Sequence, residues 1–90
     1  KTINHDADWE KIKNTFNDIY PEFFKKIREK GPDLTPLELK YCAYLKMNIS
    51  AKEIAQLLNI ETRSVYTKFY RIRNKMGFNS NELMQSFILE

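Results

Sequence analysis

The sequence predicts an all-α fold, a small bundle of short helices. The 90 residues include only two glycines and three prolines, and good helix formers occur throughout. Apolar residues recur at spacings of three and four along most of the chain, which is the period of an amphipathic helix. Aliphatic and aromatic residues are plentiful enough for a core, so a chain of this length should fold as one small domain.

The N-terminal segment, residues 1–33, carries an apolar stripe at helical spacing. Residues 1–5 should fray, and Asp6 can cap a helix that begins at Ala7. We favour the interpretation that the stripe packs into the core of its own chain. It can also form part of a surface for a second copy or an upstream domain. This N-terminal apolar stripe consists of Trp9, Ile12, Phe16, Ile19, Tyr20, Phe23, Phe24 and Ile27.

A proline interrupts the stripe. Inside a helix, Pro21 would clash with the preceding turn, so we expect a break near residues 18–20. Pro21 would then lie in the first turn of a second helix that ends near Lys30. Gly31-Pro32 is a stop signal after it.

The next helix begins with a capping box. Thr35 can cap it, with Pro36 as the first helical residue and Glu38 as the acid that completes the box. The helix should continue to about Met47. Its apolar pattern includes Cys42, which we interpret as a small buried hydrophobic residue.

A helix, a tight turn and a basic helix follow. Ser50 and Glu53 form a second capping box for a helix from Ala51 to Leu58. Residues 59–61 are too few for anything but a turn. The basic helix should run from about Thr62 to Met76, with one apolar stripe made of Val65, Phe69, Ile72 and Met76.

A glycine separates the basic helix from the last helix. Gly77 should end the basic helix, and Phe78 can pack back on the core. Asn79 or Ser80 can then cap a helix from Asn81 to Leu89. Its apolar face would consist of Leu83, Met84, Phe87 and Ile88.

Positive charge is concentrated on the basic helix. The net charge is only +3, and residues 1–34 hold seven basic and seven acidic side chains, which cancel. Residues 61–76 hold five basic side chains against the single acid Glu61. A basic helix beside a near-neutral remainder indicates a polyanionic partner.

The residue inventory argues against an enzyme, a metal site and a cofactor. There is no nucleophile–histidine pair and no glycine-rich phosphate loop, and His5 has no cysteine or second histidine near it in sequence. A single cysteine fits a reduced, cytoplasmic setting. No apolar run can span a bilayer and no signal peptide is recognisable. The start at Lys1 suggests a piece of a longer protein whose other parts are sensory or membrane-bound.

From Leu34 onward, the chain resembles the LuxR/GerE-type helix-turn-helix family of bacterial transcription regulators. Three groups of residues carry the resemblance, in this order and spacing. They are Leu34-Thr35-Pro36-x-Glu38, then Ser50-x-Lys52-Glu53-Ile54-Ala55-x-x-Leu58-x-Ile60, and finally Ser64-Val65 with Lys75-Met76-Gly77. The segment from Trp9 to Lys30 resembles the helical lead-in of Bacteroidetes versions, which close a longer chain with an upstream sensory region. Residues 34–90 would then be the DNA-binding domain, without a wing.

The resemblance implies that the chain binds double-stranded DNA, with the helix at 62–76 in the major groove and the helix at 51–58 across the backbone. By position, Tyr66, Thr67 and Tyr70 would face base edges. Phosphates would be held by Lys52, Arg63, Ser64, Lys68, Arg71, Asn74 and Lys75. Arg73 can instead pair with an acid from another helix.

Two features depart from the family or add to it. A serine or threonine cap is usual where Glu61 stands, and Thr62 can take that role.

The family also implies a homodimer on DNA. For its surface we favour the last helix, Asn81 to Leu89, over the N-terminal apolar stripe.

Two alternatives remain open. The chain can be a helical protein-interaction module whose aromatic N-terminal stripe docks a partner, with the helix-turn-helix only structural. It can also be a sigma-factor-like promoter-binding region, which uses a similar pair of helices on DNA. Salt-dependent duplex binding separates a DNA-binding domain from a protein-only module.

Overall fold

The computed structural model describes the backbone of residues 5–90 and the side chains of residues 8–90. The described residues form six α-helices and no strand, so the all-α prediction is confirmed. The helices are α1 His5–Ile19, α2 Phe23–Lys30, α3 Pro36–Lys46, α4 Ala51–Leu58, α5 Thr62–Met76 and α6 Asn81–Leu89.

Local capping explains where α3, α4 and α6 begin. Thr35 and Glu38 form a complete capping box at α3, and Ser50 and Glu53 form another at α4. The Ser80 hydroxyl accepts a hydrogen bond from the Leu83 N–H at 3.2 Å, so Ser80 caps α6. All three predicted starts are therefore confirmed.

The predicted end of α5 is confirmed, but its predicted cap is not. Gly77 follows the helix in the left-handed region, with φ of 78°, as a terminating glycine should. At the other end, Thr62 is the first helical residue and Glu61 occupies the cap position without a side-chain hydrogen bond. The prediction that Thr62 caps α5 is therefore wrong.

The break between α1 and α2 is confirmed, but Pro21 is not helical. α1 ends at Ile19, and the Phe23 N–H bonds the Tyr20 carbonyl at 3.2 Å across a turn that contains Pro21. α2 starts only at Phe23, after Glu22. After this turn Phe23 reaches the core beside Phe16, at 5.0 Å between ring centroids.

The start of α1 differs from the prediction as well. The helix already includes His5, so the fraying expected of that residue is not observed. Residues 1–4 lie outside the described part of the chain, and so does the side chain of Asp6 with its predicted cap.

α3 lies at the centre of the bundle. Five consecutive residues of α3 are buried, namely Lys40, Tyr41, Cys42, Ala43 and Tyr44, so neighbouring elements cover it on several sides. Cys42 has no exposed surface, which confirms its predicted burial. Burial, with a smaller effect from the Glu38 charge, raises the pKa of the Cys42 thiol to about 12.

Only part of the N-terminal apolar stripe enters the core. Phe16, Phe23, Phe24 and Ile27 are buried, and Trp9 packs edge-on against Tyr44 at 5.8 Å. Three other members of the stripe stay exposed: Ile12 at 40%, Ile19 at 63% and Tyr20 at 38%. The interpretation of the whole stripe as core is therefore only partly confirmed.

Candidate nucleic-acid interface

α4 and α5 are joined by a three-residue turn and pack against each other more extensively than any other pair of helices. Asn59 occupies the left-handed region with φ of 56° and ψ of 49°, a conformation that asparagine tolerates better than most residues. The Ile60 N–H bonds the Ala55 carbonyl at 3.0 Å and closes the end of α4. The chain thus turns sharply from α4 into α5.

The predicted apolar stripe of α5 is buried in full. Val65 and Ile72 have no exposed surface, and Phe69 and Met76 are 3% and 2% exposed. Phe69 also meets Tyr41 of α3 edge to face, at 6.0 Å between ring centroids. This stripe fixes the rotation of α5 about its axis, so the opposite side of the helix must face solvent.

That solvent-facing side carries most of the predicted interface residues. Tyr66 and Tyr70 are 58% and 56% exposed, unusually high for aromatic rings. Lys68 is half-buried, and Lys52 lies exposed on α4. The exposed face of α5 consists of Arg63, Ser64, Tyr66, Thr67, Tyr70, Arg71 and Asn74.

Two contacts on this face leave its groups able to bind a ligand. Thr67 donates its hydroxyl proton to the Arg63 carbonyl at 3.0 Å, which leaves the lone pairs of the hydroxyl oxygen free to accept a hydrogen bond. Arg63 Nε lies 3.2 Å from Glu61 Oε2, with both side chains largely exposed. Because such surface pairs are weak, the guanidinium of Arg63 can leave Glu61 for a phosphate.

Lys75 pairs with a buried acid of α3. Its Nζ donates to Glu38 Oε1 at 2.7 Å and to the Asp33 carbonyl at 3.3 Å. The Glu38 side chain is only 2% exposed, and the same Oε1 accepts the Thr35 N–H at 2.8 Å. The predicted phosphate contact by Lys75 would require breaking this partly buried ion pair, so we leave Lys75 out of the candidate interface.

The environment of Glu38 keeps its carboxylate charged. Burial raises the pKa of the Glu38 carboxyl, but the hydrogen bonds from Lys75 and Thr35 and the positive charge of Lys75 outweigh it. The net result is a pKa below the usual value. The sequence indicated Glu38 only as a capping residue, since the lysine that pairs with it is 37 positions away.

Arg73 makes no ion pair with any side chain that the structure describes. Its guanidinium carbon instead lies 4.8 Å from the centroid of the Tyr70 ring. The expected pairing of Arg73 with an acid from another helix is therefore not observed. The acid from α3 pairs with Lys75, two residues further along α5.

The interface has no groups suited to holding a metal. Among the residues that the structure describes, no three histidine, cysteine or acidic side chains lie close enough to bind an ion. The described helices also include none with the length and apolar character needed to cross a membrane.

Comparisons of the chain with protein-family models, with curated proteins and with solved structures found no match. The resemblance to the LuxR/GerE family therefore stays a prediction from the residues.

Proposed function

We propose that this chain is the sequence-specific DNA-binding domain of a bacterial transcription regulator of the LuxR/GerE type, acting in the cytoplasm. The observation that carries the proposal is the exposed face of α5. It combines cationic, hydroxyl, amide and aromatic groups on one helix, and that helix follows another after a three-residue turn. These side-chain types bind phosphates and base edges.

In this proposal α5 enters the major groove and α4 crosses the backbone. Tyr66, Thr67 and Tyr70 contact base edges near the middle of α5. Lys52 reaches a phosphate from α4. The remaining phosphate contacts are made by Arg63, Ser64, Lys68, Arg71 and Asn74.

The DNA-bound form would be a homodimer, because a single reading helix makes few base contacts. On α6, the exposed leucines Leu83 and Leu89 are six residues apart, so they point about 120° away from each other. On α1, Ile12 and Ile19 are seven residues apart and share one face. The sequence favoured α6 as the dimer surface, whereas this exposure pattern favours α1.

Sedimentation on a duplex with two half-sites tests the dimer and its surface. Ile19→Lys should prevent a second copy from joining the complex, and Leu83→Lys should leave it unaffected. The opposite pattern would favour α6. A wild-type protein that binds one half-site and never adds a second copy would rule out the dimer.

The salt dependence of duplex binding tests the DNA-binding proposal itself. The four cations of the candidate interface, Lys52, Arg63, Lys68 and Arg71, should release about four counterions for each bound copy, giving a slope of log K against log salt of about −3.6 per copy. Binding of a labelled random-sequence duplex, followed by anisotropy at several salt concentrations, measures the slope. Lys25→Ala on α2 is the control and should not change it, because Lys25 is exposed on another helix.

A slope near zero would favour the second candidate, a protein-interaction module. The observation behind that candidate is the apolar surface left open beside α1. Ile12, Ile19 and Tyr20 line a groove together with Met47. Exposed apolar surface of this kind is typical of protein docking sites.

A further inference from the structure

Among the basic residues of α5, Arg73 has no ion pair within the described part of the chain and no assigned phosphate. It lies one turn after Tyr70, and helical side chains lean toward the N-terminus, so its guanidinium covers the ring of Tyr70. The 4.8 Å separation is within the range of a cation–π contact. Tyr70 remains 56% exposed beneath it.

Burial restricts what else Arg73 can do. Its Nε is buried and has no hydrogen-bond partner among the described residues. Its side chain is half-buried, whereas that of Arg71 is exposed. No acid pairs with Arg73 in the described part of the chain. Its positive charge therefore interacts with the aromatic face of Tyr70.

We propose that Arg73 is a positioning residue for base reading. The stacked guanidinium holds one face of the Tyr70 ring, so the ring keeps a single orientation and presents its free face and hydroxyl to the bases. Arg73 therefore acts on sequence selectivity through Tyr70 and does not bind a phosphate. This inference rests on the proposed DNA-binding function.

Two duplexes taken from a selection of random DNA with the wild-type protein, one strongly and one weakly selected, serve as probes. The readout is the selectivity ratio, which is the dissociation constant of the weakly selected duplex divided by that of the strongly selected duplex. Arg73→Met should lower this ratio by about 2- to 5-fold, the scale of an exposed cation–π contact. Arg73→Lys should lower it less, because lysine keeps the charge that the ring attracts but lacks the planar group that stacks.

A double-mutant cycle shows whether the effect passes through Tyr70. In a Tyr70→Ala background, Arg73→Met should change the ratio no further. A further loss in that background would overturn the proposal. So would a salt slope that falls by about one in Arg73→Met, since this would make Arg73 a phosphate contact.

The controls separate folding and function from positioning. Thermal melts of both variants establish that they are folded, and Arg73→Lys carries the test if Arg73→Met melts early. A wild-type protein without salt-dependent binding would refute the proposed function. A wild-type protein that binds DNA, with unchanged ratios in both variants, would refute only the positioning role of Arg73.

Discussion

Lys75→Met should destabilise the domain strongly at pH 7 and much less at pH 4. The substitution leaves the Glu38 carboxylate 2% exposed, with the Thr35 N–H as its remaining close donor. Removing one partner of a fully buried ion pair costs about 3–5 kcal/mol. Because the Lys75 side chain is 32% exposed, the pair is partly solvated, and we expect a loss of about 2–3 kcal/mol.

The pH dependence follows from the pKa of Glu38. In the wild type this pKa is lowered on folding, so the stabilisation is complete above the usual value of 4.5 and is lost as the pH falls through the folded pKa. Without Lys75, its hydrogen bond and its charge no longer lower the pKa of Glu38 while burial still raises it, so this pKa lies above that of the folded wild type. The variant therefore loses less stability than the wild type as the pH falls, and the difference between the two proteins shrinks.

Urea unfolding followed by circular dichroism at pH 7 and pH 4 measures this difference. The matched control is Glu38→Gln combined with Lys75→Met, in which glutamine keeps a capping acceptor and no charge is buried. The double variant should lie within about 1 kcal/mol of the wild type at pH 7. A Lys75→Met protein as stable as wild type at pH 7, or one with the same loss at both pH values, would refute the reasoning.

Three further predictions concern α5. Arg71→Ala should weaken duplex binding by about 1–2 kcal/mol for all sequences and reduce the salt slope by about one, because a phosphate contact carries charge but little sequence information. An unchanged slope in anisotropy titrations would place Arg71 away from the backbone. Tyr66→Ala should change which sequences a random-DNA selection recovers, and an equal loss for every site would contradict base reading. Phe69→Asp should unfold the domain, because it replaces a ring that is 3% exposed with an unpaired carboxylate. A normal thermal melt of that variant would contradict the orientation of α5.

The starts of α3 and α4 were predictable because their signals are local. The boxes at Thr35–Glu38 and Ser50–Glu53 lie within four residues of sequence, and the structure contains both. Pro21 was harder to place, since the same residue suits a first helical turn or a connecting turn. In the structure Pro21 lies in the connecting turn, and the helix that begins after it buries Phe23 and Phe24.

Contacts between side chains on different helices could not be predicted in the same way. Arg73 and Lys75 are two residues apart and so about 200° apart around α5. Which of them meets Glu38 depends on the rotation of α5 against α3. The period of the N-terminal stripe likewise predicts one apolar face, but it does not tell how much of that face the domain covers, and Ile19 stays outside.

The short connection between α4 and α5 bears on the order of folding. Closing a three-residue turn costs little chain entropy, and Asn59 already favours the left-handed conformation that the turn requires. The packing of α6 on α3 joins segments more than 30 residues apart and costs more. We therefore expect Ile54→Val in α4 to slow folding and Ile88→Val in α6 mainly to speed unfolding, which stopped-flow kinetics can measure. Equal effects on the folding rate would contradict this order, in which the surface proposed to meet DNA forms before the helix that completes the core.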